Sequence, residues 1–115
     1  MLNKGLILLM LTTVLAPSIS WGKDAKCIIK QGGTIAYSGS CAFMPRRDGS
    51  FTVRNNENTT IVPSVTNISV DITSSGIAEV RGLTIYGNNS RRGTATRSKK
   101  DPACWKGQEF EISAY

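Results

Sequence analysis

The chain has 115 residues, with fourteen Lys and Arg against eight Asp and Glu, a formal net charge of +6, three cysteines and no histidine. Without histidine the usual general base of serine and cysteine nucleophilic sites is missing, and so is the commonest metal ligand. The acids sit mostly beside turns or on the polar side of alternating strands, no two cysteines have the short spacing of a zinc site, and no glycine run opens a helix as a phosphate loop does; no enzymatic activity, cofactor or metal is therefore expected.

Met1 to Lys4 gives a short positive start, and Gly5 to Ala16 is apolar apart from two threonines. Pro17 to Gly22 closes this stretch with small residues at Ser20 and Gly22. This pattern predicts a secretory signal peptide over residues 1–22, cleaved after Gly22 or, alternatively, at Ser20. The apolar run is shorter than the roughly twenty residues a membrane crossing needs. No later stretch is long and apolar enough to act as an anchor, so no membrane insertion is expected. Cleavage would leave a single domain over residues 23–115, with thirteen bases against eight acids, a net charge of +5. A chain of this size buries only about 60–65% of its unfolded surface, so a disulfide would contribute usefully, and an exported chain can form one. Cys27, Cys41 and Cys104 are an odd set, so at least one is unpaired or pairs between chains.

From there the chain reads as strands. Cys27 to Ile29 and Thr34 to Tyr37 flank Gly32-Gly33, which predicts a hairpin. Ser40 to Phe43 runs into a Pro45–Gly49 loop, and Ser50 to Arg54 alternates with Phe51 and Val53 on one face. Asn55 to Thr60 breaks the pattern. Val65 to Ile72 is rich in β-branched residues, Ser74-Ser75-Gly76 turns, and Ile77 to Arg81 and Leu83 to Tyr86 follow. A polar tract from Gly87 to Lys100 precedes a terminal strand at Glu109 to Ile112. No helical stripe is sustained, and the turn spacing predicts an all-β fold, a small antiparallel sandwich or barrel.

The bases cluster. Arg91, Arg92, Arg97, Lys99 and Lys100 fall within ten residues that hold no acid. The tract reads either as a solvated loop or as a patch that docks on an acidic partner protein and steers association. It has no interleaved aromatics for base stacking, so nucleic acid is not the expected partner. Arg46 and Arg47 form a second candidate contact. Trp105 is expected to cap the core rather than to touch a partner.

The blocks YSGSCAF, DGSFTV, GIAEV and DPACWKGQEFEISAY resemble, in order, those of small exported immunity proteins of Gram-negative bacteria. Such proteins are encoded beside type VI secretion effectors with an L,D-transpeptidase-like fold that attack peptidoglycan. The resemblance implies a periplasmic protein, monomeric or weakly dimeric and without catalysis, that binds a cognate effector and occludes its active site. Relatives carry a second cysteine in the last strand, where this chain has Ser113. Local pairing in the family would leave Cys27–Cys41 intact and Cys104 free. Pairing across the fold would leave Cys41–Cys104 and free Cys27. The local pair is favoured, because only thirteen residues intervene around Gly32-Gly33. CWKGQEFEIS is also similar to the terminal strand of periplasmic lysozyme inhibitors, although lysozymes are typically basic and would repel a net charge of +5. A non-enzymatic binder of wall or surface ligands is the remaining expectation.

Overall fold

The computed structural model describes residues 23–115, so the signal-peptide expectation for residues 1–22 lies outside the described residues. Eight antiparallel strands follow one another around a closed barrel. They are β1 (Lys23–Gln31), β2 (Thr34–Pro45), β3 (Phe51–Asn55), β4 (Val65–Ser74), β5 (Ile77–Thr84), β6 (Asn89–Arg97), β7 (Cys104–Lys106) and β8 (Phe110–Ala114). Of the two expected architectures the barrel is therefore the one formed. It closes where β1 pairs with β8, from Cys27 opposite Ala114 to Gln31 opposite Phe110.

Alternation along the strands sorts the side chains, because successive residues point to opposite faces. Cys27, Ile29, Cys41, Val53, Val70, Ala78, Val80, Ala95, Trp105 and Ile112 are buried in one core. Eight strands enclose a space that side chains just fill. Gly82 shows how tight the filling is: a Cβ there would stand 3.0 Å from Val65 Cγ1.

Cys27 and Cys41 form the disulfide, with a Cα–Cα distance of 5.8 Å, and both are fully buried. Cys27 lies opposite Gly39 and Cys41 opposite Ala25, so the bridge runs diagonally across the β1–β2 ladder. Closing a loop of this size stabilises the fold by roughly 3 kcal/mol in the chain-entropy account. Cys104 is free and buried, so the alternative Cys41–Cys104 pairing is not formed.

The ends of the barrel differ. At one, the β3–β4 connection folds inward: Ile61 and Val62 are 2% and 3% exposed, and the Ile61 N–H donates to Val65 O at 2.8 Å. This end, which also carries the turns after β1, β5 and β7, is called the plugged end. The other, the open-mouthed end, carries Lys23, the β2–β3 and β6–β7 connections, the β4–β5 turn and Tyr115.

The structure corrects the reading of Gly87 to Lys100 as a polar tract without strand structure, because Asn89–Arg97 is strand β6. Its ladder with β5 runs from Leu83 opposite Asn89 to Ile77 opposite Thr96. Ile77–Thr84 is likewise one strand, with Gly82 inside it rather than dividing it.

Candidate binding surface at the open-mouthed end

Arg46-Arg47 and the last part of the second basic segment, Arg97 to Lys100, reach the same end of the barrel although about fifty residues separate them in sequence. Arg46 and Arg47 lie on the β2–β3 connection, and Arg47–Gly49 forms a short 3-10 turn. Asp48 and Gly49 take positive φ angles of 58° and 83°, which tighten this turn. A Cβ on Gly49 would stand 3.1 Å from Ile72 Cδ1, so glycine keeps the loop close to β4. Ser50 Oγ accepts the Ile72 N–H at 2.9 Å and fixes the loop from its far side. Arg46 is engaged within the fold: its Nη2 donates to Asp71 Oδ1 at 2.7 Å and to Phe51 O at 3.1 Å. Arg47 is exposed and has no carboxylate within ion-pair distance among the described residues.

The β6–β7 connection supplies Lys99 and Lys100, both exposed and without an ion-pair partner among the described residues. Arg97 closes β6 opposite Trp105 in the β6–β7 ladder. Its guanidinium carbon lies 5.5 Å from the centroid of the Trp105 ring, a cation–π arrangement. Its Nε donates to Pro102 O at 2.7 Å. Trp105 itself is 2% exposed, so the indole is a core residue, with Arg97 over it. Between the two connections lies a pocket of about 110 Å³, lined by Phe43, Phe51, Trp105, Arg97, Gly49 and Pro102 among others. Phe43 and Phe51 stack with ring centroids 4.9 Å apart. The open-mouthed end thus carries a small recess lined by Phe43, Phe51 and Trp105 with Arg97 in its wall, and Arg47, Lys99 and Lys100 lie on the connections to either side, next to Asp48 and Asp101.

A polar cluster clamps the lysine-bearing loop to the last strand. Asp101 accepts the Tyr115 hydroxyl at 2.5 Å on Oδ2 and the Ala103 N–H at 3.3 Å on Oδ1, while Cys104 Sγ lies 3.4 Å from Oδ2. The hydrogen bond from Tyr115 holds the Asp101 carboxyl below its ordinary range, and the same bond pushes the Tyr115 phenol well above its own. Nothing in the sequence marked Asp101 and Tyr115 as a pair; only the two turns that bring β6–β7 against the end of β8 create it.

Arg91 and Arg92 lie elsewhere. Six residues of strand separate Arg91 from Arg97, roughly 20 Å, so both sit toward the plugged end. Arg91 pairs with Glu79 on the outer face at 3.1 Å, and Thr94 Oγ1 donates to the same carboxylate at 3.0 Å. Those two hydrogen bonds, Thr94 first, lower the Glu79 pKa. Arg92 is the extra residue where the β5–β6 register shifts. Its Nε is buried without a hydrogen-bond partner among the described residues and lies 3.5 Å from where a Cβ on Gly82 would be. The five bases from Arg91 to Lys100 therefore do not form one patch. Arg97, Lys99 and Lys100 join Arg47 at the open-mouthed end, and Arg91 and Arg92 stand apart.

The chain matches no family model, no curated protein and no solved structure. Among the described residues no three of Cys, Asp and Glu are grouped to share a metal ion, and no helix is long and apolar enough to cross a membrane.

Proposed function

We propose that this protein is a periplasmic immunity protein that binds a peptidoglycan-targeting type VI secretion effector and occludes its active site. The observation that carries the reading is the convergence of the Arg47 loop and the Arg97–Lys100 segment at one end of the barrel, on either side of a recess lined by Phe43, Phe51 and Trp105. Rigid recesses with cationic rims suit an acidic partner surface, since the apolar floor supplies contact area while the charges steer approach and fix register. The filled barrel interior favours recognition on the surface over carriage of a small ligand inside. The buried Cys27–Cys41 bridge fits an oxidising compartment.

Periplasmic co-expression with a wall-degrading effector encoded beside this protein tests the proposal. Suppressed lysis and a complex that survives co-purification are expected; continued lysis with the protein present at equal amounts would contradict it. An anionic wall polymer could also engage the cationic rim, and that reading predicts sedimentation of the protein with isolated sacculi and no protection from the effector.

A further inference from the structure

β6 is nine residues long, yet on the β7 side only Thr96 and Arg97 have strand partners among the described residues, Lys106 and Trp105. The reason lies in β7. Gly107 follows its last residue and lies under the Phe110 ring, where a Cβ would displace that ring. The Gly107 N–H then donates to Phe110 O at 2.8 Å, closing the hairpin before β7 can continue along β6. Among the described residues, the edge of β6 from Asn89 to Ala95 is left without a strand on that side.

The direction of its amides follows from one bond. Arg97 N–H donates to Gly76 O, on the β5 side. Alternation therefore turns the Thr96 and Thr94 backbone groups to the β7 side, where Thr96 meets Lys106 and Thr94 meets no strand. A cleft of about 340 Å³ opens beside this edge, with Ser90, Arg91 and Arg92 on one wall and Gln31, Glu109 and Phe110 on the other.

We infer that the open edge of β6 takes an acidic extended segment of a partner protein as an added strand. Backbone pairing would supply affinity, and the exposed Arg91 would select charge. Arg91 is 75% exposed at its side chain despite its contact with Glu79. Arg81 stands opposite it on β5. Glu79 and Glu109 offset only part of this charge, so an acidic segment is the better match. A second copy is a poor occupant: antiparallel pairing of the Asn89–Ala95 edge with itself is centred on Arg92 and brings the arginine pairs of the two copies side by side, and like charges across a ladder are destabilising. The inference stands apart from the identity of the partner at the open-mouthed end.

The test uses a capped peptide alternating Glu with Val and Thr, and a matched peptide with Lys for Glu, titrated into the isotopically labelled protein. The acidic peptide should shift resonances of Asn89 to Ala95 and slow exchange of the Thr94 amide, with at least tenfold weaker binding of the lysine peptide. Thr94→Pro removes the free N–H and should weaken acidic-peptide binding at least tenfold. Arg91→Glu, on an outer face, should reduce or invert the charge preference. Shifts confined to other strands, equal binding of the two peptides by the wild type, or concentration-dependent self-association through β6 would each overturn the inference.

Discussion

Cys104 and Ser113 face one another across the β7–β8 ladder, with Sγ and Oγ in direct contact. The neighbouring pair carries the backbone bond, from Ala114 N–H to Ala103 O at 3.1 Å. Cys104 and Ser113 are therefore a non-hydrogen-bonded pair, the type in which opposed side chains stand closest. Both are buried although they lie on the outer face, with the Tyr115 hydroxyl 3.4 Å from the thiol.

Ser113→Cys should close a second disulfide with Cys104. The free-thiol count of the unfolded, unreduced protein should fall from one to none, and stability should rise by roughly 2–3 kcal/mol for so short a loop. A variant that retains two reactive thiols after oxidation would show that the pair cannot reach bonding geometry.

The triple variant Arg47→Glu, Lys99→Glu, Lys100→Glu should fold as the wild type does, since none of these side chains has an ion-pair partner among the described residues. Association with the effector should slow by about tenfold or more at low salt, with a flatter salt dependence, because such charges act chiefly on the encounter rate. Stopped-flow or biosensor kinetics across ionic strength provide the check.

Trp105→Ala should destabilise the barrel by about 3–5 kcal/mol, the usual range for emptying a buried aromatic site. Arg97→Ala, which removes the exposed cation over the ring and its hydrogen bond to Pro102 O, should cost about 1–2 kcal/mol. Denaturant unfolding of both variants would separate the core role of the indole from the surface role of the guanidinium.

The Asp101–Tyr115 clamp should weaken at both extremes of pH. Asp101 is depressed below its ordinary value of 3.8, so its contribution is complete above that value and is lost as pH falls through the lower folded-state value. Tyr115 is raised above its ordinary 10.0, so its contribution is complete below 10.0 and is lost as pH rises through the higher folded-state value. The Ala103 amide, which donates to Asp101 Oδ1, is the reporter. Its chemical shift should titrate below pH 3.8 in the wild type and stay flat in Asp101→Asn.

Most strands were legible because apolar residues alternate along them, as Phe51 and Val53 do in β3. β6 was not, because its sequence NSRRGTATR fills inward positions with Gly93 and Ala95 and ends with Arg97 over an aromatic ring. No apolar period remains to be read there. β7 was hidden by its length of three residues. Barrel and sandwich could not be told apart, since the β1–β8 pairing joins residues 79 to 87 positions apart and leaves no local mark. Likewise, the sequence named Arg46, Arg47, Arg97, Lys99 and Lys100 as contacts but could not say that they share an end, nor that Arg92 turns inward over Gly82. Local pairing of Cys27 with Cys41 was legible because a short hairpin joins them.

The central claim is that the partner docks on the open-mouthed end. Hydrogen–deuterium exchange of the protein alone and in complex with the effector tests it most directly. The account predicts slowed exchange in the Arg46–Ser50 and Ser98–Ala103 backbone on binding. A stable complex in which both segments exchange as fast as in the free protein would contradict it.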